Sequence, residues 1–425
     1  MGFKSKIQNS LFVEKYIKQV NESYKKLPHK VELTKEQEQE IQEFYVPLVG
    51  YKVPTDWHRY FYARTGLYSV KYIPTSLYRL ELTGRLNQLP WCVPFSDKNL
   101  NDIVLPTMKQ PHTYLKNRNG YFYVENKAVS LEGAAEECAN IGDVIVKPTL
   151  SSHGNGVKKL HIENGIVDAK GTRLKDLLLN YGKNFLIQDL VKQHPAMNKL
   201  NPDSINTIRI VTYRKGLVVF VLYAAIRIGR KGQQIDNESA GGMSTKINLD
   251  GTLCKFAYGA PGQDRIEKTD SGVKLEGYEV PSFERALAVV KEQHLNLPFQ
   301  DLVGWDICID ETGEPVMLEW NTTPELSQSA VGPAFGEYTE MVVKDAMSRP
   351  NSRLGDPTYR MLKSVQINDV VHYLLQKVKH IIFLIQEILL IMLVHFLKHQ
   401  IILHLIITYI IIRIIFIKVN SLERK

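Results

Sequence analysis

The sequence predicts an α+β fold, with a helical N-terminal region followed by a domain that mixes strands and helices. Three observations predict it. Helix signals dominate residues 1–95, short β-branched runs alternate with helix signals from Ser96 onward, and pairs of short strands flank turns in the second half. The chain has 425 residues, of which 44% are hydrophobic, so it can form two or three domains with sizeable cores.

The N-terminal region, residues 1–95, carries a helix-start signal and many aromatic side chains. Thr34 and Gln37 have the spacing of a capping box ahead of Ile41 and Phe44, which lets them satisfy backbone N–H groups that a helix leaves free. The aromatic residues are Trp57, Tyr60, Phe61, Tyr62, Tyr68, Tyr72 and Tyr78. Stacking on nucleic-acid bases normally comes with a basic pattern, which does not accompany them. We therefore predict that these side chains pack between helices.

Strand and helix signals alternate after Ser96. Ser130 is expected to cap a helix that runs through Ile141 and stops at Gly142. Pro281-Ser282 is expected to open another helix toward Leu295. The predicted strands are residues 144–146, 186–188, 208–213 and 217–228.

The stretch VIVKPTLSSHGNGV, residues 144–157, ends a predicted strand with Lys147 and enters a loop of small polar residues and glycines. Two interpretations are open. Lys147 can end an edge strand before an ordinary surface turn, or the lysine and the N–H groups of the loop can bind a phosphate. The stretch matches neither the P-loop pattern nor the G-x-G-x-x-G pattern of dinucleotide-binding folds. If phosphate binds here, another nucleotide-binding fold holds it.

Residues 304–321, GWDICIDETGEPVMLEWN, are predicted to form a hairpin of two short strands. A two-residue loop at Thr312-Gly313 would place Asp306 opposite Glu319. Two carboxylates that face each other repel unless a cation lies between them. The hairpin therefore predicts a cation site, unless it is a solvated hairpin whose acids never meet.

The second strand of this hairpin carries Glu319 and a further oxygen ligand, Asn321. Glu319 and Asn321 are two residues apart and are expected to share one face, with Leu318 and Trp320 on the other. A set of carboxylate and amide oxygens, from Asp306, Glu319 and Asn321, suits Mg²⁺, which takes its remaining ligands from water and substrate phosphates. A magnesium site and the phosphate loop near Lys147 would be complementary halves of one nucleotide site.

Charge and cysteine content point to no particular partner. The net charge is +8, but residues 358–425 contain nine Lys or Arg against three Asp or Glu, so the rest of the chain is nearly neutral and no nucleic-acid partner is predicted. The cysteines, Cys92, Cys138, Cys254 and Cys308, are far apart and form no C-x-x-C pair, which fits a reducing compartment. The first residues lack the apolar core of a secretory signal, so we expect a cytoplasmic protein.

The tail, residues 348–425, differs in composition from the rest. Residues 358–425 contain no Gly, Ala or Pro, and sixteen of them are isoleucine. Glu387, Lys398 and Arg413 divide the apolar stretch into pieces too short for good membrane spans. Two interpretations remain: interfacial helices that give peripheral membrane association, or a stretch outside the native fold, similar to AT-rich DNA translated outside its frame.

Several motifs occur in a particular order along the chain. They are Ser96-Asp97-Lys98, VIVKP with SSHGNG, LIQDLV, SINTIRIVT, NESAGG, and GWD followed by LEWN. As an ordered set they resemble the ATP-grasp superfamily, specifically its sugar-transfer-associated branch. The resemblance covers residues 96–347 and implies the ATP-grasp fold, in which two α/β subdomains clamp a nucleotide. The N-terminal helical region precedes these subdomains in the chain.

The resemblance also implies roles for individual residues. Lys98 and Lys147 would reach the phosphates of ATP, and the loop Ser151, Ser152, His153, Gly154, Asn155 and Gly156 would close over them. Gln188, Asp189, Leu190 and Val191 would form the hinge that binds adenine. Asp306, Glu319 and Asn321 would hold Mg²⁺. Arg209 and Arg227 would face the transferred phosphoryl group, and Asn237, Gly241 and Gly242 would line the acceptor side.

The function that the resemblance implies is an ATP-dependent carboxylate–amine ligase that works through an acylphosphate. Its substrates would be a small carboxylate and a nucleophile, sugar-linked or amino-acid-like, in cell-surface polysaccharide assembly. Two alternatives stay open: a phosphotransferase acting on a sugar or alcohol, and a non-catalytic nucleotide-binding module of a membrane glycan complex.

Overall fold

The structure is a computed structural model that describes residues 3–150, 156–233, 236, 241–352 and 408–411. The chain divides into two units, Met1–Gly355 and Asp356–Lys425, and residues 408–411 of the second unit are helical. The predicted tail, residues 348–425, thus lies outside the described residues except for 348–352 and 408–411. Among the helices of the described residues, none combines the length and the apolar character needed to cross a bilayer.

Helices form the N-terminal region, as predicted. They are α1 (Phe3–Lys25), α2 (Lys35–Val49), α3 (Asp56–Thr65), α4 (Thr75–Leu77), α5 (Thr83–Leu86) and α6 (Leu89–Cys92), and α7 (Asn101–Val104) follows the region. A π-helical turn, Tyr78–Leu82, joins α4 to α5, and 3₁₀ turns cover Val93–Ser96 and Lys98–Leu100.

The capping box at the start of α2 is confirmed. Thr34 Oγ1 accepts a hydrogen bond of 3.2 Å from Gln37 N–H, and Gln37 Oε1 accepts one of 3.0 Å from Thr34 N–H. The predicted packing of the aromatic side chains is confirmed for Trp57, Tyr60, Phe61, Tyr72 and Tyr78, each at most 8% exposed.

The first sheet contains six antiparallel strands in the order β3-β2-β1-β6-β4-β5. The strands are β1 (Thr113–Arg118), β2 (Tyr121–Val124), β3 (Lys127–Val129), β4 (Gly142–Pro148), β5 (Lys158–Ile162) and β6 (Phe185–Asp189). Helices α8 (Leu131–Glu137) and α9 (Leu174–Asn180) share its hydrophobic core. The predicted strands at 144–146 and 186–188 fall within β4 and β6.

Helix α8 begins where predicted but ends early. Ser130 Oγ accepts a hydrogen bond of 3.0 Å from Gly133 N–H, as expected for the cap. The helix stops at Glu137 instead of Ile141, because the next residues pair with a distant turn. Gly165 N–H donates to Ala139 O at 2.8 Å, and Asn164 N–H donates to Asn140 Oδ1 at 2.8 Å.

The second sheet contains five antiparallel strands in the order β11-β10-β7-β8-β9. The strands are β7 (Ile208–Lys215), β8 (Val218–Ile228), β9 (Met243–Ile247), β10 (Leu302–Ile309) and β11 (Pro315–Asn321). The remaining helices are α10 (Pro195–Leu200), α11 (Phe283–His294), α12 (Gln328–Val331) and α13 (Thr339–Met347). The predicted strands at 208–213 and 217–228 and the predicted helix after Ser282 are confirmed.

The two faces of the second sheet bury different cores. On one face, Ile210, Trp305 and Trp320 join α11 in a hydrophobic cluster. On the other face, Val211 and Tyr213 pack with the N-terminal helices and α13. Because side chains alternate along a strand, residues such as Arg209 and Asp306 project on this second face, toward the N-terminal helices.

The hairpin of β10 and β11 pairs Asp306 with Glu319 as predicted, but its loop differs from the predicted one. The loop has three residues, because Asp310 N–H donates to Glu314 O at 3.0 Å and thereby pairs these two residues. The predicted two-residue loop at Thr312-Gly313 is therefore wrong. A bulge between Asp306 and Ile307 then restores the register, so that Asp306 faces Glu319.

The bulge also changes the position of one side chain. Leu318 lines the same cleft as Glu319 and Asn321, whereas the prediction placed it on the opposite face with Trp320. Trp320 is buried in the core beneath the sheet, as predicted. A bulge leaves one residue unpaired and bends the strand, which accounts for two successive side chains reaching the cleft.

Candidate active site

One cleft of about 780 Å³ collects most of the residues that the sequence analysis singled out. Those that line it are Lys98, Lys147, Gln188, Asp189, Leu190, Val191, Arg209, Arg227, Asp306, Glu319 and Asn321. They come from both sheets and from the 3₁₀ turn that begins at Lys98. Residues separated by more than two hundred positions in sequence therefore share one site.

The remaining predicted residues lie elsewhere or outside the described residues. Ser151, Ser152, His153, Gly154, Asn155 and Asn237 are outside the described residues. Gly156 has φ +79°, and a Cβ on it would lie 2.9 Å from Pro148 Cγ, so this position requires glycine. Gly241 and Gly242 directly precede β9 and are not among the described residues that line the cleft.

Asp306 and two arginines form the buried centre of the cleft. Arg209 Nε and Nη2 donate to the two carboxylate oxygens of Asp306 at 2.6 and 3.0 Å, and Arg227 Nη1 lies 3.6 Å from Asp306 Oδ2. Arg209 and Asp306 face each other on β7 and β10, so the strand register fixes this bidentate pair. Asn321 Nδ2 donates to Asp306 Oδ2 at 3.2 Å.

Mutual attraction decides the charge states of this pair. Burial opposes the negative charge of Asp306, but Arg209 and then Arg227 outweigh it and hold the pKa of the carboxyl group well below its usual range. Burial also opposes the positive charge of Arg209, yet Asp306 raises the pKa of the guanidinium group. Both side chains therefore stay charged at neutral pH.

Lys98 and Lys147 lie at the edge of this centre. Lys98 Nζ is 2.8 Å from Glu319 Oε2, and Asp97 Oδ1 caps the turn by accepting a hydrogen bond from Asn99 N–H. Burial, followed by repulsion from Lys98, lowers the pKa of Lys147 to about 8. Among the described residues, no carboxylate lies within ion-pair distance of Lys147. An anion in the cleft would favour the charged form and so raise the pKa of this lysine.

The predicted hinge, residues 188–191, begins with the last two residues of β6 and lines the cleft. Tyr114 Oη donates to Asp189 Oδ1 at 2.6 Å, and this bond, together with burial, raises the pKa of Tyr114 to about 12. Gln188 Nε2 donates to Thr113 Oγ1 at 2.8 Å, while its buried Oε1 has no hydrogen-bond partner among the described residues. Gln188 thus lines the cleft with its amide oxygen buried and unsatisfied in the described part of the chain.

The structure adds residues that the sequence analysis did not identify as part of the site. Asp236 lines the cleft, accepts a hydrogen bond of 2.9 Å from Thr207 N–H, and has its pKa raised by burial. Its sequence neighbours give no signal for this position. Tyr78 and Arg79 also line the cleft, on the π-helical turn of the N-terminal region. The sequence analysis assigned Tyr78 only to helix packing.

Side chains of the N-terminal region and of β8 hold the segment 323–325, which follows Thr322. Tyr78 Oη donates to Pro324 O at 2.6 Å, and Tyr223 Oη donates to Glu325 O at 2.6 Å. Arg79 Nη1 donates to Thr323 O at 3.4 Å, and Arg79 also pairs with the Glu325 carboxylate. The carbonyl groups of this segment are thus satisfied by hydroxyl and guanidinium donors, which fixes its path along the cleft.

A buried arginine ties the next part of this segment to the same region. Arg64, with a side chain 3% exposed, donates from Nη1 to Ser329 Oγ at 3.1 Å and from Nη2 to Gly259 O at 2.8 Å. Its Nε donates to Asp264 Oδ1 at 2.6 Å. Ser329 lines the cleft, so the N-terminal helices determine the shape of one end of the site.

Gly304 is a position where packing beside the cleft excludes any larger residue. A Cβ added to Gly304 would overlap Pro324 Cβ and lie 3.1 Å from Pro324 Cγ. We expect Gly304→Ala to lower the free energy of unfolding by about 1–3 kcal/mol, since overpacking forces neighbouring groups to move.

Urea denaturation measures this change. Gly133→Ala is the matched control, because Gly133 lies in α8 and an added Cβ would have no neighbour closer than 3.6 Å. It should leave stability unchanged or raise it by about 0.5–1 kcal/mol. Equal stability of both variants would show that Pro324 can move to make room for the added Cβ.

The donor set at β10 and β11 fits a magnesium ion. It consists of two carboxylates, Asp306 and Glu319, and the amide of Asn321, all on the cleft side of the hairpin. Within the described part of the chain, no group of three or more His, Cys, Asp or Glu side chains could hold a metal. Mg²⁺ usually takes one or two carboxylates and completes its shell with water and substrate phosphates, so two carboxylates and an amide are compatible with it.

Comparison with known proteins gives one family and several solved structures that are similar to this chain. The model of the family described as sugar-transfer associated ATP-grasp matches residues 77–334, which is more than half of the chain. The matched region includes Tyr78 and Arg79 as well as both sheets. Among curated proteins, no match was found.

Several solved structures are similar in fold. The ATP-grasp ligase PsnB, complexed with a minimal precursor, Mg and ADP, is 11% identical with a TM-score of 0.36, over 60% of this chain and 61% of that chain. D-alanyl-alanine synthetase A from Vibrio cholerae is 11% identical with a TM-score of 0.36, over 61% and 66% of the two chains. VanG D-Ala:D-Ser ligase from Enterococcus faecalis is 12% identical with a TM-score of 0.35, over 60% and 61%. This chain thus spans less than two thirds of the length of each.

Proposed function

Because the chain belongs to the sugar-transfer-associated ATP-grasp family, we propose that it is an ATP- and Mg²⁺-dependent ligase that joins a carboxylate to an amine or another nucleophile. The observation that supports this most is the convergence of Lys98, Lys147 and the set Asp306, Glu319 and Asn321 on one cleft. Cations for a triphosphate and oxygen ligands for its metal ion lie together there.

The proposed placement of ATP follows the charges of the cleft. Adenine lies at the hinge 188–191, where the backbone can meet its amino group. The phosphates extend toward Lys147 and Lys98. Asp306, Glu319 and Asn321 hold Mg²⁺, which when bound neutralises phosphate charge.

The proposed reaction has two steps. A carboxylate oxygen of the first substrate attacks the γ-phosphorus of ATP, and the bond from that phosphorus to the β-phosphate oxygen breaks, giving ADP and an acylphosphate. The nucleophile then attacks the acyl carbon and inorganic phosphate leaves, while the proton of the nucleophile passes to solvent.

In this scheme the chain's residues position charge and do not form bonds. Lys147 and Arg227 stabilise the charge that develops on the transferred phosphoryl group. Arg209 keeps Asp306 charged and fixed, because its bidentate bonds leave that carboxylate one orientation. The acceptor occupies the part of the cleft lined by Arg79 and Ser329.

A substrate panel read by ADP release tests this proposal. Carboxylates and amines, including amino acids, uronic acids and amino sugars, are supplied singly and in pairs to the full chain with Mg-ATP. A ligase should release ADP only with a carboxylate present, and hydroxylamine should trap the acylphosphate as a hydroxamate. ADP release with a sugar or alcohol alone, together with its phosphorylated product, would instead identify a phosphotransferase. Absence of ATP binding would contradict both.

The charge of Lys147 should control ATP affinity at alkaline pH. The pKa of Lys147 is about 8 in the free protein, so the ammonium is present below pH 8 and is lost as pH rises through that value. We expect Kd for ATP to rise about tenfold for each pH unit above 8. Titration calorimetry across this range measures the effect.

Lys147→Arg is the matched control for this pH dependence, because guanidinium keeps its charge throughout the range. Its Kd for ATP should stay nearly constant between pH 7 and 10, the approximate span over which the lysine titrates. A parent protein whose ATP affinity did not change above pH 8 would place the phosphates away from Lys147.

A further inference from the structure

Arg79 is a cation of the cleft that the proposed magnesium and phosphate sites do not use. It lines the cleft together with Glu325, and its Nη2 pairs with Glu325 Oε1. Its Nη1 donates to Thr323 O at 3.4 Å. Thr323 follows Asn321 by two residues, so their Cα atoms are at most about 7 Å apart. The guanidinium group therefore lies near the hairpin that carries the proposed metal ligands.

Two other cations of the cleft have partners that the proposed chemistry requires. Arg209 makes a bidentate pair with Asp306, and both side chains are 5% exposed. Lys98 pairs with Glu319. Asp306 and Glu319 are the carboxylates of the proposed magnesium set, so neither can leave its place during the reaction. Glu325 belongs to no such set.

The pair of Arg79 and Glu325 is easy to separate. The Glu325 side chain is 68% exposed, and that of Arg79 is 23% exposed. An ion pair with a solvent-exposed member contributes little to stability, because water and salt screen it. A dissolved carboxylate can therefore replace Glu325 at the guanidinium group at little cost, whereas replacing a buried partner is expensive.

The backbone does not have to move for this exchange. Tyr78 Oη donates to Pro324 O, and Tyr223 Oη donates to Glu325 O, both at 2.6 Å. These bonds hold the main chain while the exposed glutamate side chain stays free to change rotamer, a motion of picoseconds to nanoseconds. Rotation of this one side chain uncovers the guanidinium group.

The turn that carries Arg79 is itself unusual. Arg79 lies on the π-helical turn Tyr78–Leu82. Such turns are rare and occur frequently at functional sites. Of the two acids and bases nearest in this stretch, Glu81 is 7% exposed and pairs with Arg85, whereas Arg79 lines the cleft. The turn thus directs a cation toward the space where the acceptor is proposed to bind.

Hydroxyl groups accompany Arg79 and Glu325 along the cleft. They belong to Thr75, Thr323, Ser327 and Ser329. An arginine N–H forms a strong, charge-assisted hydrogen bond to a carboxylate oxygen. Hydroxyl groups can both donate and accept, so they suit the hydroxyl or amino substituents of a small molecule. This combination fits a small carboxylic acid that carries such substituents.

We propose that Arg79 binds the carboxylate group of the acid substrate, and that Glu325 occupies the same position in the substrate-free protein as an internal competitor. The inference rests on the ligase function proposed above and names the residue that recognises its acid. Glu325 pairs with Arg79 through Oε1. A substrate carboxylate in that position keeps its second oxygen for attack on the γ-phosphorus.

Substitution of each member of the pair tests the proposal, because a binding site and a structural ion pair predict different signs. Saturation-transfer NMR measures the binding of D-alanine, L-alanine, glycolate and D-glucuronate to the full chain with Mg-ADP. Arg79→Gln should bind the acid that the parent prefers at least about tenfold more weakly, since a charge-assisted hydrogen bond is lost. Glu325→Gln should bind it about two- to fivefold more tightly, since the competitor is removed.

Glu132→Gln is the matched control, because Glu132 is 67% exposed and pairs with Lys175 in the same way. It should bind the acid like the parent, and all variants should keep the parent's melting temperature. Failure of every acid to bind the parent, or weaker binding by both Arg79→Gln and Glu325→Gln, would overturn the proposal. So would a loss of Mg-ATP affinity in Arg79→Gln, which would assign the arginine to phosphate.

Hydroxamate formation from the acid, Mg-ATP and hydroxylamine separates this inference from the proposed function. Acid binding that depends on Arg79 without hydroxamate would remove the ligase reaction and leave the carboxylate site in place. Hydroxamate formation by Arg79→Gln with the parent's KM for the acid would overturn the carboxylate site and leave the ligase reaction in place.

Discussion

Glu319→Ala should lower kcat by about 10²- to 10³-fold, the range expected when one electrostatic contact to a transition state is lost. Glu319 supplies one of the two carboxylates of the proposed magnesium set and holds Lys98 Nζ at 2.8 Å. Its removal leaves Lys98 without this partner and Mg²⁺ with a poorer shell. Kd for ATP should change much less, because Lys147 and the hinge remain. ADP release under saturating ATP and direct ATP titration measure the two quantities separately.

Glu314→Ala is the control for this change. Glu314 lies in the same hairpin, but its carboxylate pairs with Arg285 at 2.6 Å and it does not line the cleft. Its kcat should equal that of the parent within about twofold, as for a surface substitution away from the site. If Glu319→Ala turned over ATP like Glu314→Ala, the hairpin would not be the catalytic metal site.

Arg209→Met should lower the free energy of unfolding by about 3–5 kcal/mol, the cost of leaving a buried charge without its partner. Arg209 and Asp306 are each 5% exposed in their side chains and share two hydrogen bonds. Arg227, at 3.6 Å from Asp306, remains and should hold the loss toward the lower part of that range. Urea denaturation of the parent and the variant gives the difference.

A double variant separates the buried charge from simple loss of packing. Arg209→Met combined with Asp306→Asn removes both charges, so it should be less destabilised than the sum of the two single changes. Arg173→Met is the exposed control, because Arg173 is 69% exposed and pairs with Asp176 on the surface. It should cost less than about 1 kcal/mol. Additive effects in the double variant would mean that Asp306 is already satisfied without Arg209.

Local sequence patterns predicted the fold class and many of its elements. The capping box at Thr34, the cap at Ser130 and the strands of the two sheets all depend on neighbouring residues, so they can be identified without tertiary contacts. The helix after Ser130 is the exception that shows the limit. Its end depends on hydrogen bonds from Asn164 and Gly165, which a local pattern does not contain.

The candidate site was predicted in part for the same reason. The alternation of side chains in a strand puts Glu319 and Asn321 on one face whatever else surrounds them. The pairing of Asp306 with Glu319 was also predicted, although it results from a three-residue loop and a compensating bulge. Asp236 and Arg79 were not predicted, because they join the cleft only through packing between distant segments.

The sequence by itself determined which residues can carry the chemistry. They are Lys147 before the glycine loop, Lys98 at the start of its turn, and the oxygen ligands on one face of a strand. It also determined the order of the motifs. Only the tertiary structure decided their relations. It paired Arg209 with Asp306 through the register of β7 and β10, and it brought the N-terminal helices to the end of the cleft through Arg64 and Tyr78. The physical reason is that strand register and helix packing are set by contacts between residues far apart in sequence, which no local pattern encodes.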